Sequence, residues 1–185
     1  DDWRDELATK LSWDQRLREA LRQNRFVLHA QPILDLTTGK VSRLELLLRL
    51  VGENGELIAP GEFLAGAERF GLIQEIDRWV LREAIRLMAE HGESEVEAFE
   101  VNLSGKTMSD PGLARMIKEE LEQRRVDPSR LVLEITETAA IGDLEQARRF
   151  ITAMRSLGCR FALDDVGSGF STLHLLKHLP VDYLK

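Results

Sequence analysis

The chain has 185 residues, a length suited to one domain that can bury a hydrophobic core. Its 43% hydrophobic and 31% charged residues are typical of a globular protein and exclude a disordered tail. The net charge of −7 argues against nonspecific binding of duplex nucleic acid, which requires a basic surface. An acidic protein can still bind a phosphorylated ligand where metal ions neutralise the local charge.

The cellular context follows from cysteine content and hydropathy. Cys159 is the single cysteine, which excludes an internal disulfide and favours a reducing compartment. No apolar run reaches the ~18 residues that a membrane span needs, and no signal peptide is visible. We therefore expect a cytoplasmic protein without membrane insertion, although other domains could attach the parent protein to a membrane. The first residue is Asp1 rather than Met, which suggests a piece of a longer chain.

The first predicted element is an amphipathic helix over residues 3–23, in which apolar side chains recur at helical spacing. Ser12 followed by Gln15 could form a capping box that divides this segment into two helices. Two interpretations stay open: residues 1–24 connect to an upstream domain, or the helix packs against the main domain. The main domain is assigned to residues 25–185.

A β-hairpin is predicted next. Residues 26–34 and 41–50 have the composition of strands, and residues 37–40 have that of a turn. The connection is too short for a parallel crossover, which needs a dozen or more residues. The two strands should therefore be antiparallel.

After the hairpin, each predicted strand is separated from the next by helix. Helices are predicted over residues 60–70, 73–90, 111–125, 143–157 and 172–178, and strands over 99–103, 131–136, 161–163 and 181–184. This alternation predicts an α/β fold with a parallel sheet, most simply a TIM-like β/α barrel that begins with the antiparallel hairpin. An open doubly wound sheet is the alternative, but its dinucleotide fingerprint and phosphate-binding loop are absent.

Polar side chains lie at the carboxyl ends of the predicted strands. They are Glu45, Asn102, Glu134, Asp164, Asp165 and Lys185. In a β/α barrel these ends open onto one face, where active sites lie, so the side chains should converge. Four carboxylates and one amide suit Mg²⁺ or Mn²⁺, whereas zinc is disfavoured without nearby cysteine or paired histidines.

Asp164 and Asp165 are adjacent, and adjacent side chains of a strand point to opposite faces. Both can face the site only where the strand ends, and the segment Gly167-Ser168-Gly169 supplies a bend there. Metal ligands with a lysine favour phosphoryl chemistry, in which metals activate water and stabilise charge on phosphate oxygens. A glycosidase needs only two carboxylates, which leaves Asn102 and Lys185 without roles. Any one of these residues could instead be an N-cap or an ion-pair partner.

These residues stand in segments that resemble the EAL domain family. Glu45-Leu46-Leu47-Leu48-Arg49 is similar to the Glu-Ala-Leu-Leu-Arg signature that names the family. Further similar segments are Gln31-Pro32-Ile33, Gly71-Leu72-Ile73, Val101-Asn102-Leu103-Ser104, Leu133-Glu134-Ile135-Thr136-Glu137, Asp164-Asp165-Val166-Gly167-Ser168-Gly169 and Val181-Asp182-Tyr183-Leu184-Lys185. The resemblance covers residues 26–185 in order.

The resemblance implies hydrolysis of cyclic-di-GMP to linear pGpG with Mg²⁺ or Mn²⁺, in a site that holds two metal ions. The implied metal ligands are Glu45, Asn102, Glu134, Asp164 and Asp165. Lys185 would lie beside the attacking water, and Glu45 and Asp164 would also be catalytic.

The resemblance also implies substrate contacts, regulation and partners. Gln31, Leu47 and Arg49 would contact the substrate, and the planar fork of Arg49 suits phosphate. The family's regulatory loop, which couples dimerisation to metal binding, would consist of Glu137 and residues 166–172, including Gly167, Ser168 and Gly169. A homodimer and an upstream sensory or GGDEF-type domain are implied partners.

A barrel of this kind runs to ~250 residues, so about a quarter of the domain would be missing after Lys185. The resemblance implies that this part holds a later catalytic glutamate and a substrate-contacting glutamine. We expect a fragment rather than a sheet completed by a second chain, and we expect the chain alone to be inactive. The alternatives to an enzyme are a cyclic-di-GMP receptor that does not hydrolyse its ligand and a dimerising signalling module.

Overall fold

The computed structural model describes residues 13–92, 96–167 and 172–185. Within them one sheet contains β1 (Phe26–Asp35), β2 (Lys40–Val51), β3 (Leu57–Ile58), β4 (Ala98–Asn102), β5 (Leu131–Thr136), β6 (Arg160–Asp164) and β7 (Tyr183–Leu184). The helices are α1 (residues 13–22), α2 (Pro60–Arg69), α3 (Ile73–His91), α4 (Leu113–Arg124), α5 (Glu137–Gly142), α6 (Leu144–Ser156) and α7 (Thr172–His178). Short 3-10 helices span Gly105–Ser109 and Pro128–Arg130. No helix in this part of the chain is both long and apolar enough to cross a membrane.

The predicted hairpin is confirmed. β1 and β2 pair in antiparallel fashion from Phe26 opposite Leu50 to Asp35 opposite Lys40. The Asp35 carboxylate accepts hydrogen bonds from the Thr37 backbone and the Thr38 hydroxyl, which closes the turn. The hairpin therefore presents its second strand, β2, to the rest of the sheet.

The remaining strands are parallel and follow chain order. The sheet runs β1-β2-β4-β5-β6-β7, with β3 paired to β2. Sequential order without reversal is the order of a β/α barrel and differs from that of a doubly wound sheet. The sheet curls so far that Lys185, directly after β7, contacts Glu45 on β2 at 2.8 Å. It does not close within the described residues.

Apolar side chains cover both faces of the curled sheet. Phe99, Phe161 and Leu133 are fully buried in the main core, between the outer face and the helices. A second, small cluster of Ala98, Val132 and Ala162 lies inside the curl, with Tyr183 packed against it. Because strand side chains alternate between faces, Glu100 and Asn102 lie on the same inner face as Ala98. The inside of the curl thus changes from apolar to charged along β4.

The helix before the hairpin packs against the domain. Leu17 and Ala20 of α1 are fully buried, and the Trp13 ring lies 6.4 Å from that of Phe63. Residues 1–12, including Ser12 of the predicted capping box, lie outside the described residues. These contacts favour the interpretation in which the helix packs on the main domain, and the connector role stays a prediction.

Two elements near the site were not predicted. The Thr136 hydroxyl accepts a hydrogen bond from the Ala139 backbone, so α5 begins directly where β5 ends. Asp143 then caps α6 through the Gln146 backbone, which separates the two helices.

Strand β3 is only two residues long and has no sequence signature of its own. α4 begins at Leu113, two residues later than expected.

Candidate active site

The parallel register brings the predicted strand-end residues to one level. Glu45 of β2 is aligned with Glu100 of β4, and Asn102 of β4 with Glu134 of β5. Lys185 follows β7 directly, and its backbone N–H donates to the Leu163 carbonyl of β6. The predicted convergence is therefore present for Glu45, Asn102, Glu134 and Lys185.

The Lys185 ammonium is the centre of a charged cluster inside the curl. Its Nζ donates to Glu45 Oε2 at 2.8 Å, to Glu134 Oε1 at 2.8 Å and to Glu100 Oε2 at 3.2 Å. Asn102 Nδ2 donates to the other oxygen of Glu45 at 2.9 Å. Residues from β2, β4, β5 and the end of β7 thus meet across the inside of the sheet.

Glu100 is a site residue that the sequence reasoning missed. Its side chain is fully buried, and Arg43 Nη1 lies 2.5 Å from its Oε1 as an ion pair rather than an aligned hydrogen bond. The predicted site residues came from the carboxyl-terminal parts of the predicted strands, whereas Glu100 lies near the start of the strand predicted at residues 99–103, two positions before Asn102. The signal was available, because residues two apart in a strand share a face. The same spacing relates Arg43 to Glu45.

The electrostatics of the cluster follow from crowding and burial. Burial, followed by contact with the Glu100 carboxyl, raises the pKa of Glu134 to about 8. Burial acts to raise the pKa of Glu45, but hydrogen bonds from Lys185 and Asn102 outweigh it and lower that pKa. Burial acts to lower the pKa of Lys185, but hydrogen bonds to Glu134 and Glu45 outweigh it and raise that pKa, so the lysine stays protonated at neutral pH.

The carboxylates fit a divalent cation. Glu45, Glu100 and Glu134 each offer an oxygen atom, and these atoms lie within 4.8 Å of one another. Glu134 Oε2 is buried and accepts no hydrogen bond from the described residues. Carboxylate oxygens are the preferred ligands of Mg²⁺ and Mn²⁺. Two of the predicted metal ligands, Glu45 and Glu134, therefore lie where a cation could be held.

Asp164 and Asp165 stand at the end of β6 but do not belong to this group of three acids. Asp165 has φ +57°, and its backbone N–H donates to Asp164 Oδ1 at 2.8 Å. The chain therefore leaves the strand at Asp165 itself, earlier than the predicted bend, and turns again at Gly167 with φ +103°. A metal-binding role for the pair stays a prediction.

The described part of the predicted regulatory loop is hydrogen-bonded to α5. Glu137, the first residue of α5, is buried and accepts a hydrogen bond from the Gly167 backbone at 3.1 Å. Because α5 follows β5 directly, this bond ties the loop after β6 to the strand that carries Glu134. Ser168 and Gly169 lie outside the described residues.

The predicted substrate residues lie on the hairpin. Gln31 is exposed and directly opposite Glu45 in the β1–β2 pairing. Leu47 and Arg49 follow Glu45 at two-residue spacing, which places all three on one face of β2. Both are half-buried, and Arg49 Nη1 donates to the Leu48 carbonyl. Their contact with substrate stays a prediction.

A separate cavity of about 720 Å³ adjoins the site. Among the predicted site residues it is lined by Leu47 and Asn102, and its wall includes Asp77 of α3. Asp77 accepts hydrogen bonds from the Ser104 backbone and the Thr107 hydroxyl, and burial raises its pKa to about 6. The carboxylates Glu45, Glu100 and Glu134 do not line this cavity.

Comparison with known proteins identifies what the chain is similar to. The family model described as the EAL domain matches residues 14–185. The cyclic di-GMP phosphodiesterase PdeB of Shewanella oneidensis is 36% identical over 94% of this chain and 20% of its own length. The cyclic di-GMP phosphodiesterase PdeF of Escherichia coli is 36% identical over 97% of this chain and 24% of its own length.

The fold has a close match among solved structures. The FimX EAL domain of Xanthomonas citri, solved in complex with c-diGMP, superimposes with a TM-score of 0.89 at 34% identity. The match covers 98% of this chain and 71% of that domain. The chain therefore spans under a quarter of the two curated relatives and about seven tenths of this domain.

Proposed function

Since the chain belongs to the EAL domain family, we propose that the natural polypeptide containing it hydrolyses one phosphodiester bond of cyclic-di-GMP to give linear pGpG. The observation that carries this proposal is the cluster in which Lys185 lies 2.8 Å from both Glu45 and Glu134. The names of PdeB and PdeF support the reaction, and the FimX complex supports the ligand.

In the proposed site, Glu45, Asn102, Glu134, Asp164 and Asp165 would hold Mg²⁺ or Mn²⁺. When bound, two such ions would supply an activated water and stabilise the charge on the phosphate oxygens.

Lys185 acts in this proposal as a hydrogen-bond donor. Burial acts to lower its pKa, but hydrogen bonds to Glu134 and Glu45 outweigh burial and raise that pKa, which favours the charged ammonium. It is suited to orient a water molecule or a phosphate oxygen by donating a proton in a hydrogen bond. Arg49 would bind a phosphate group of the substrate, because its guanidinium can donate two parallel hydrogen bonds. Gln31 and Leu47 would contact the substrate beside it.

The first prediction is that Glu45→Gln abolishes turnover. The change removes a carboxylate charge but keeps the side-chain shape, so metal binding should fail while the fold survives. The full natural polypeptide is incubated with cyclic-di-GMP and Mg²⁺ or Mn²⁺, and pGpG is followed by chromatography. Glu53→Gln, at an exposed turn and not among the residues of the cluster, is the matched control and should retain full activity. Absence of pGpG at every metal concentration in the unmodified protein would overturn the proposed function.

A receptor function is the second candidate, and the FimX EAL domain solved with c-diGMP favours it. Isothermal titration calorimetry separates the two. Tight binding of cyclic-di-GMP together with no turnover would establish the receptor, whereas turnover would establish the enzyme.

The wider setting is also proposed. We place the protein in the cytoplasm as a homodimer, with residues 1–24 leading to an upstream sensory or GGDEF-type domain. The length of the relatives supports additional domains, since this chain spans 20% of PdeB and 24% of PdeF. The Glu137–Gly167 hydrogen bond supports a loop whose position depends on α5. Light scattering with and without Mg²⁺ tests the dimer.

A further inference from the structure

We propose that Glu100 and Arg43 form a positioning pair that holds the Lys185 ammonium beside the metal ligands, so that lysine and divalent cation occupy the site together. This inference rests on the proposed metal-dependent function and adds two residues to it. Neither residue is among the strand-end set.

The contacts of Glu100 place it between two cations. Its side chain is fully buried, with Lys185 Nζ 3.2 Å from Oε2 and Arg43 Nη1 2.5 Å from Oε1. A buried carboxylate is stable only when it is paired on its polar atoms. Each oxygen of Glu100 meets one cation, so the carboxylate is neutralised from both sides.

Arg43 is itself held in place from β7. Its guanidinium carbon lies 4.2 Å from the centroid of the Tyr183 ring, within the range of a cation–π contact. The Tyr183 hydroxyl in turn accepts a hydrogen bond from Arg160 Nη1 at 2.9 Å. The pair thus contacts Tyr183 and Lys185 across the inside of the curl. It connects β2 and β4 to the strand that carries the lysine.

The Glu100–Arg43 pair has a role because Lys185 and a divalent cation would compete for the same carboxylate oxygen atoms. Lys185 donates to Glu45 and Glu134, and both are proposed metal ligands. A divalent cation on those carboxylates would repel the ammonium and use the same lone pairs. Glu100 lies one inward-facing position deeper on β4 than Asn102, so it can keep the ammonium while Glu45 and Glu134 turn to the cation.

Glu100 could alternatively be an additional metal ligand, because it belongs to the group of three acids. Its contacts argue against that role, since both of its oxygens already face a cation, Arg43 or Lys185. A purely structural ion pair is the other alternative. The positioning role, the metal-ligand role and the structural role differ in whether the effect of changing Glu100 on metal affinity depends on Lys185.

The test is a double-mutant cycle on Mn²⁺ affinity, measured by isothermal titration calorimetry on the 185-residue chain. Glu100→Gln should weaken Mn²⁺ binding about tenfold, as loss of a residue that orients a metal ligand does. The Lys185 ammonium would then donate only to Glu45 and Glu134, and it would compete with Mn²⁺ for their oxygen atoms. In a Lys185→Met background the same change should alter affinity by less than about twofold, because the competitor is gone. An equal loss in both backgrounds makes Glu100 a ligand and overturns the proposal.

A second readout follows Lys185 directly. The chain is labelled with ¹⁵N-lysine, and the side-chain ammonium signals are recorded with saturating Mg²⁺. A slowly exchanging Lys185 signal should be present in the unmodified chain, weakened in Arg43→Met, which leaves Oε1 of the buried Glu100 carboxylate without its cation, and absent in Glu100→Gln. Retention of the signal in Glu100→Gln overturns the proposal, as does failure of the unmodified chain to bind Mn²⁺ or Mg²⁺.

The matched control is the Arg78–Asp110 ion pair, with a contact of 2.6 Å and an Asp110 side chain only 7% exposed. Asp110→Asn should lower stability without changing Mn²⁺ affinity or the Lys185 signal. Neither readout requires turnover. If the cycle shows the expected coupling and no pGpG is formed, the enzymatic function fails while the positioning role stands.

Discussion

Asp77 is a single residue near the site whose buried carboxylate is stabilised by hydrogen bonds. Its carboxylate is 5% exposed, and a single oxygen, Oδ2, accepts both the Ser104 backbone N–H at 2.9 Å and the Thr107 hydroxyl at 2.5 Å. These bonds join α3 to the segment that follows Asn102. Burial nevertheless dominates and raises the pKa of Asp77 from 3.8 to about 6.

Asp77→Asn should therefore remove a pH-dependent step in stability. A carboxyl with a raised pKa binds its proton more tightly in the folded chain than in the unfolded chain, so stability falls as pH rises through the interval from 3.8 to about 6. The expected loss is roughly 3 kcal/mol, since each pH unit in that interval is worth about 1.4 kcal/mol. Because Asn Oδ1 can accept both hydrogen bonds, the variant should lack this step in urea unfolding between pH 4 and pH 7.

Asp127 provides a control of opposite sign. A hydrogen bond from the Ser129 backbone lowers the pKa of Asp127, so its contribution to stability is present at neutral pH and is lost toward acid. Asp127→Asn should lower the free energy of unfolding most at pH 7 and least near pH 3. Parallel stability profiles for the Asp77 variant and the unmodified chain would contradict the assignment.

The helices and strands next to the site depend on how each one ends. α6 ends at Ser156, and Gly158 then adopts φ +99°, a left-handed conformation that is common for glycine just after a helix. A Cβ at Gly158 would lie 3.1 Å from Cβ of Pro128, so a larger residue there would force a small shift of the Pro128–Arg130 turn. Gly158 and Cys159 lead into β6, which carries Asp164. The geometry of Gly158 therefore affects where β6 begins.

Two glycine substitutions should have opposite effects on stability. Gly158→Ala should cost about 1–2 kcal/mol of unfolding free energy, because an L-residue at positive φ is strained. The Pro128 contact adds to this cost. Gly61→Ala, in α2 where nothing lies within 4 Å of the added Cβ, should stabilise by about 0.4–1 kcal/mol through a less flexible unfolded chain. Urea unfolding monitored by circular dichroism measures both, and a stabilising Gly158→Ala would contradict the assigned strain.

At the scale of the whole molecule, the charged cluster lies inside a sheet that curls without closing in the described residues. Strands β2 and β7 are connected there mainly through side chains, since Lys185 reaches Glu45, Glu100 and Glu134 across the interior. A divalent cation bound to Glu45 and Glu134 would link β2 and β5, which are not neighbours in the sheet. Cation binding should therefore stabilise the tertiary structure as a unit.

Mn²⁺ or Mg²⁺ should raise the midpoint of thermal unfolding. A ligand that binds only the folded chain at one hundred times its Kd contributes about 2.7 kcal/mol. For a chain of this size that corresponds to a shift of about 5–10 °C. Differential scanning calorimetry with metal, and again after EDTA, measures the shift. Glu45→Gln should reduce it and Glu53→Gln should not; an equal shift in both variants would place the cation elsewhere.

Much of this architecture could be predicted from the order of residues alone. Apolar periodicity located β5 and α7 at their observed ends, the short turn at residues 37–40 established the antiparallel hairpin, and strict strand–helix alternation indicated the parallel sheet. Local signals sufficed because each depends on residues close in sequence. Convergence of Glu45, Asn102, Glu134 and Lys185 was also predictable, since parallel strands carry their carboxyl ends to one edge.

What the tertiary structure decided is which charges meet inside the curl. Glu100 and Arg43 precede recognised site residues by two positions, a spacing that places them on the same faces of their strands, but their burial and pairing depend on residues far away in the sequence. Lys185 and Glu45 are 140 positions apart, and their contact depends on the curvature accumulated over four strand pairings. Burial then sets the ionisation of Glu134, because the same carboxyl would have an ordinary pKa in water. The sequence alone determined the elements and the chemical types at their ends, whereas distances across the sheet determined the pairing of charges.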